Sequence, residues 1–367
     1  MLSLTSALLA LQGLGLVAAA PYVHNTVPEL STRDAPRYNA SLPNITIFAT
    51  GGTIAGSAAD ITQTTGYQAG ALGVDILIKA VPELWNVSNV RGVQVANLDS
   101  GMITPSILVN LSSQIQAELD SPYCQGVVVT HGTDTLEESA FFLDLTVRSD
   151  KPVVVTGAMR PATALSADGP INLLSAVTVA AAPAARGRGA LVVLNDRIAS
   201  AWYVTKTNAN APDTFKSYEM GYLGVLIDIK PIFYFPPAWP VGKRQFNITA
   251  ATVLPQVDVL YGYQALNPGL ASAAVASGAK GLVMAGMGAG GWTEAGRAVL
   301  KQLAASNGTH IVDSRRTMDG YVEPDSSNTY YYAGGFLNPQ KTRILLQLGI
   351  YANYNATGFK SLFEFDS

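Results

Sequence analysis

Short apolar runs recur along this chain, each closed by a turn, and they leave few folds open to it: "ITIFAT", "GVVVTHG", "KPVVVTG", "GALVVLND", "VDVLYGY", "GLVMAG" and "THIVDS". Strands that are apolar on both faces must be covered on both faces. Helix-like stretches lie between the runs, which is the pattern of a parallel sheet flanked by helices. The predicted class is α/β. A length of 367 residues, 48% of them apolar, supplies material for about two cores. The rhythm fails in the proline-rich stretch 234–256, which reads as a linker. The expected organisation is therefore a larger N-terminal domain, 42–233, with a mainly parallel sheet flanked by helices. A smaller α/β domain, 257–367, also with a parallel sheet, follows the linker.

Open α/β sheets bind ligands beyond the carboxyl ends of their strands. In this chain "TGGT" follows "ITIFA", "THGTDT" follows "GVVV", and "TGAMRP" follows "KPVVV". The composition removes several chemistries from those turns. Three histidines (His24, His131 and His310), a single cysteine and no paired metal-ligand spacing argue against a metal site. No GxSxG elbow is present. A formal net charge of −3 without a basic run argues against nucleic acid as a partner. What remains is hydroxyl, carboxylate and amine: Thr53, Thr133 and Asp134 after strands, and Lys206 in the polar segment "VTKTNANAPDTF". A threonine hydroxyl needs a base or proton relay beside it to act as a nucleophile, and a lysine held by a carboxylate in a cleft can serve. Either threonine taken alone reads better as a helix N-cap. Two such turns in one chain, with a polar lysine segment, favour acyl transfer.

A second pattern competes. Gly286, Gly288 and Gly291 have the G-x-G-x-x-G spacing between a strand and a helix, with Asp313 ending the next strand, as in a dinucleotide-binding fingerprint. The bland reading is a glycine turn, preferred here because the stretch after the linker is short for the full dinucleotide fold.

The first residues, 1–20, carry no charged side chain and end in small alanines, as a secretory signal peptide does. N-x-S/T acceptors at Asn39, Asn44, Asn86, Asn110, Asn247, Asn307 and Asn355 fit a secreted glycoprotein in the extracellular or cell-wall space. Cys124 has no partner for an intrachain disulfide.

"ATGGTIAG" and "VVVTHGTDTLEESAFFLDLTV" resemble the two signature segments of bacterial-type (type II) L-asparaginases and the related glutaminase-asparaginases. The similarity runs from Leu42 to about Tyr351 and takes in "KPVVVTGAMRPATALSADGPINL" and "GGFLNPQKTRILLQLGI". The resemblance implies a cofactor-independent and metal-independent amidohydrolase that converts L-asparagine to L-aspartate and ammonia through a β-aspartyl ester. It implies Thr53 as nucleophile with Tyr67 as partner on a closing loop, and Thr133, Asp134 and Lys206 as a second triad. Ser100 and Asp134 would bind the α-carboxylate and α-amino groups of the substrate. Glu323 would reach into a neighbouring subunit's site within a homotetramer. The chain departs from the pattern at Gly101, where many members have glutamine, at Ala289, where they have asparagine, and at Ser149, which replaces the half-cystine that would pair with Cys124. Low glutaminase activity is expected. The alternatives are a mixed glutaminase-asparaginase, a dinucleotide-dependent oxidoreductase and an inactive binding protein that keeps the fold.

Overall fold

The computed structural model describes residues 38–63 and 65–364, so the 1–20 leader lies outside the described residues. An eight-stranded sheet forms the larger part. Its strands are β1 (Asn44–Gly51), β2 (Asn89–Leu98), β3 (Gly126–Thr130), β4 (Val153–Thr156), β5 (Ala190–Leu194) and β6 (Arg197–Ser200), followed after a small hairpin by β9 (Gly224–Ile227) and β10 (Lys230–Phe233). The hairpin pairs β7 (Thr205–Lys206) with β8 (Phe215–Lys216). The spatial order is β10-β9-β6-β5-β4-β3-β1-β2. The stretch from β5 to β2 is parallel, as the uniformly apolar runs require: Val127, Val128 and Val129 of β3 are wholly buried.

The other end of the sheet is antiparallel, from β6 to β10. Asn195 and Asp196 both adopt left-handed backbone, φ 50° and 58°, giving the tight two-residue turn that reverses β5 into β6. Asp228 and Ile229 do the same between β9 and β10.

Helix α1 (Val74–Lys79) and helix α4 (Gly169–Ala181) cover one face of the sheet, and α2 (Pro105–Asp120) and α3 (Leu136–Thr146) the other. Nearly every residue of α3 is buried, because it packs two ways. Leu136, Ala140 and Leu143 face the large sheet. Phe141, Phe142 and Leu145 join Ile344, Leu345 and Leu348 of α7 (Pro339–Tyr351), a helix of the C-terminal part. A fully buried phenylalanine contributes about 1.5 to 3 kcal/mol, so this shared layer is a principal tie between the two parts.

The C-terminal part is a four-stranded parallel sheet in the order β11 (Val257–Tyr261), β12 (Gly281–Gly286), β13 (His310–Arg315) and β14 (Tyr332–Ala333). Besides α7 it carries α5 (Gly269–Ala276), α6 (Glu294–Asn307) and α8 (Ala356–Phe363). Residues 234–256 hold no strand or helix, yet they are fastened along the large domain. Lys243 Nζ donates to Asp144 Oδ1 at 2.7 Å with both side chains almost fully buried, and the Phe246 N–H donates to the Leu145 carbonyl at 2.8 Å.

Candidate active site

β1 lies between β3 and β2, so the chain leaving β1 proceeds to one side of the sheet and the chain leaving β3 to the other. Such a reversal opens a crevice at the carboxyl ends of the two strands. Both signature turns lie there. Gly51 and Gly52 take φ values of +106° and +79°, which a side chain rarely tolerates. A Cβ on Gly52 would stand 2.2 Å from the Cα and N of Gly132, and one on Gly132 would stand 2.8 Å from Ser100 Cβ. The turns after β1 and β3 thus touch at their backbones, with the Ser100 side chain of the turn after β2 against Gly132, and together they present Thr53, Ser100, and Thr133 with Asp134.

Each of the two threonine hydroxyls has its own proton partner. Thr53 Oγ1 is 2.6 Å from the Tyr67 hydroxyl. Tyr67 rides on a loop closed at its base by paired Ser57–Gln68 backbone bonds of 2.9 and 3.0 Å, and fastened by the Gly70 N–H to the Gly52 carbonyl at 3.0 Å. Burial lifts the Tyr67 phenol above its ordinary value, with the charges of Asp134, Asp99 and Asp168 adding to the effect, while the Thr53 hydrogen bond pulls the other way.

Thr133 Oγ1 accepts from Lys206 Nζ at 3.0 Å, and the same ammonium donates to Asp134 Oδ1 at 2.5 Å. The Asp134 side chain is 71% exposed, so this pair contributes at most about 1 kcal/mol to stability. Its consequence is positional: it aims the amine at Thr133. The Lys206 backbone N–H donates at 2.6 Å to Glu137 Oε2, in the first turn of α3. Behind the turn, His131 is fully buried, with Nδ1 2.7 Å from the Gly132 carbonyl and Nε2 2.8 Å from Ser139 Oγ, and burial lowers its pKa.

Neither threonine is a helix cap. Thr53 opens a three-residue 3-10 turn, Thr53–Ala55, whose cap position is Gly52. The cap position of α3 is Thr135, and its hydroxyl donates instead to the Ser100 carbonyl at 2.9 Å. Ser100 is buried beside these turns, and Asp99 Oδ1 receives the Gly101 N–H at 3.0 Å.

The structure therefore gathers Thr53, Tyr67, Ser100, Thr133, Asp134 and Lys206 at one end of the sheet. Glu323 is not among them: it is exposed on the C-terminal part, beside the Val322–Gly335 bridge. Ala289 is also exposed there, in the glycine turn. That turn folds onto itself through paired Met287–Gly291 bonds of 2.9 and 2.7 Å. Asp313, which a dinucleotide ribose would need, is 3% exposed and paired with Arg297 at 2.6 Å. Burial raises its carboxyl to about 6 despite that arginine. The oxidoreductase reading loses its acidic partner. Sequence reasoning passed over Glu137, although a charged residue in so apolar a helix is itself a signal of a buried partner.

The fold and the paired hydroxyl sites fit a two-domain α/β hydrolase that works by acyl transfer. Family models agree: the asparaginase N-terminal model matches residues 44–238, and the glutaminase/asparaginase C-terminal domain model matches 256–363. The chain is 53% identical over 332 residues to "Probable L-asparaginase 1" of Schizosaccharomyces pombe, covering 90% of this chain and 91% of that one. It is 50% identical over 313 residues to "L-asparaginase 2" of Bacillus subtilis, covering 84% and 83%. A solved structure described as a probable cytoplasmic L-asparaginase from Campylobacter jejuni superposes with a TM-score of 0.83 at 41% identity, covering 87% of this chain and 98% of that one. The chain belongs to the asparaginase family.

Proposed function

We propose that this asparaginase hydrolyses the side-chain carboxamide of L-asparagine through a β-aspartyl ester on Thr53. The observation that carries the reading is the contact of two turns, each presenting a threonine hydroxyl with its own proton partner. Thr53 Oγ1 attacks the carboxamide carbon and passes its proton to the Tyr67 hydroxyl, which is held 2.6 Å away. The raised pKa of Tyr67 keeps it a neutral phenol, so as it takes the Thr53 proton it gives up its own, which passes to the Thr133–Lys206–Asp134 chain and replaces the proton that chain delivers to the leaving nitrogen. The Thr133–Lys206–Asp134 chain supplies a proton to the leaving nitrogen, the C–N bond breaks and ammonia departs. Water then attacks the ester by the reverse relay, releasing aspartate and restoring the Thr53 hydroxyl. Backbone N–H groups near Thr53 and Thr133 are the natural donors to the oxyanion. Ser100 and Asp134 hold the α-carboxylate and α-amino groups.

Glutamine is expected to be the poorer substrate. Its extra methylene displaces the carboxamide relative to Thr53, Gly101 offers no amide side chain beside Ser100, and Ala289, exposed on the C-terminal part like Glu323, offers none to a neighbouring subunit's site. One methylene is worth about 1 to 3 kcal/mol, so kcat/KM for glutamine should fall at least about tenfold below that for asparagine. Ammonia release measured separately from each amide checks this. Equal values would favour a mixed glutaminase-asparaginase. There is room for a longer side chain at 101, where a Cβ would meet only Asp99 Oδ1, at 3.6 Å.

The apolar leader and the acceptor triplets support export, and the exposed Glu323 supports a homotetramer in which it serves a neighbouring site. Among the acceptors, Asn86 and Asn110 have exposed side chains that make no hydrogen bond among the described residues. The Asn44 carboxamide, by contrast, donates to the Tyr123 carbonyl at 2.7 Å and accepts from Asn89 at 3.0 Å. The native protein should begin near residue 20 and carry glycan first at Asn86 and Asn110. N-terminal sequencing and glycopeptide mapping check this; a protein that starts at Met1 without glycan contradicts it.

A further inference from the structure

Lys206 sits on a strand of two residues, paired only with Phe215–Lys216. So short a ladder fixes a backbone poorly, yet the amine at the end of the lysine stem must meet both Thr133 and Asp134. The restraint comes from elsewhere. Glu137 is 2% exposed, and its Oε2 takes the Lys206 N–H at 2.6 Å. Its other oxygen accepts from Asn338 Nδ2 at 2.8 Å and from Gln340 Nε2 at 2.6 Å. Both donors belong to the start of α7 in the C-terminal part, where Asn338 is also the helix cap.

The same turn of α7 holds the chain just before the lysine. Lys341, 1% exposed, donates through Nζ to the Trp202 carbonyl at 3.0 Å and the Val204 carbonyl at 2.5 Å. Asn338 Nδ2 also reaches Thr205 Oγ1 at 3.3 Å. We propose that Glu137, braced by Asn338 and Gln340, is a positioning residue that sets the reach of Lys206, so that the C-terminal domain completes the site within its own chain. The inference rests on Lys206 acting as the relay amine. A buried carboxylate that bridges two domains and ends on the backbone of that lysine is placed to transmit their relative position to the amine.

The test compares three variants in asparagine turnover and thermal unfolding. Gln340→Met removes one brace of Glu137 at similar side-chain length. Arg343→Met is the control: it breaks the Arg343–Glu138 pair, 3.0 Å apart, one turn further along the same helix and interface, without touching the lysine strand. Lys206→Met tests the underlying reading alone. A misplacement well below 1 Å should cost about tenfold in kcat, with KM changed less than about twofold. Gln340→Met should therefore lose kcat while Arg343→Met keeps it, whatever each does to Tm. If Gln340→Met keeps kcat, or if Arg343→Met loses as much, the positioning role is wrong even when Lys206→Met is inactive. If Lys206→Met retains normal turnover, the relay reading itself fails.

Discussion

Thr53→Ala is expected to lower asparagine turnover by on the order of 10⁴-fold or more, as losses of a nucleophile do. Its effect on stability should be small. Among the described residues Thr53 Oγ1 has one partner, the Tyr67 hydroxyl, and Tyr67 is only half-buried, so water can satisfy that group once the threonine oxygen is gone. A lost hydrogen bond of this kind costs about 1 kcal/mol. Ammonia release and thermal unfolding on the same preparation separate the two effects. Near-normal turnover would move the nucleophile to Thr133, whose hydroxyl also has a proton partner.

Gly52→Ala should do the opposite and strike the fold together with the activity. With φ +79° and ψ −171°, Gly52 lies in a region essentially restricted to glycine, which costs an alanine about 1 to 3 kcal/mol. The larger cost is steric: the new Cβ would stand 2.2 Å from the Cα and N of Gly132 and 2.9 Å from the His131 carbonyl carbon. Those are backbone atoms, which cannot rotate away as a side chain would. Separating the turns would also pull Gly132 from Ser100 and Thr53 from Thr133. We expect a destabilisation of about 4 kcal/mol or more, the range of exceptional single substitutions, and little turnover in whatever remains folded. Gly101→Ala is the contrast. With only Asp99 Oδ1 near its Cβ, at 3.6 Å, it should change stability by less than about 0.5 kcal/mol. Chemical denaturation of the two variants side by side checks the difference, and a well-folded Gly52→Ala protein would show that the contact between turns is dispensable.

The parallel core of the large sheet and the β12 strand were legible because burial on both faces leaves an unbroken apolar run, as in "GVVVT", whereas β11, an edge strand, alternates in burial. The antiparallel end was not. β6, β9 and β10 are four residues each with mixed burial, and their turns use Asn195–Asp196 and Asp228–Ile229 rather than a glycine pair. The hydroxyls, the tyrosine, the serine and the lysine of the site were readable because turn glycines and the resemblance marked their segments. Which of the two threonine readings applied, nucleophile or cap, depended on where each hydroxyl points, and a sequence does not carry that. Glu137 was hidden for a related reason. Its partners Lys206, Asn338 and Gln340 are far away along the chain, so a charge in an apolar helix signals a buried partner without saying which one.

The most direct test of the central claim is acid quenching of the enzyme during steady turnover of asparagine, followed by peptide mass mapping. The peptide that contains Thr53 should gain the mass of aspartate less one water, and the gain should vanish in Thr53→Ala. An adduct on the peptide that contains Thr133 instead, or full turnover with neither peptide ever modified, would contradict the Thr53 ester.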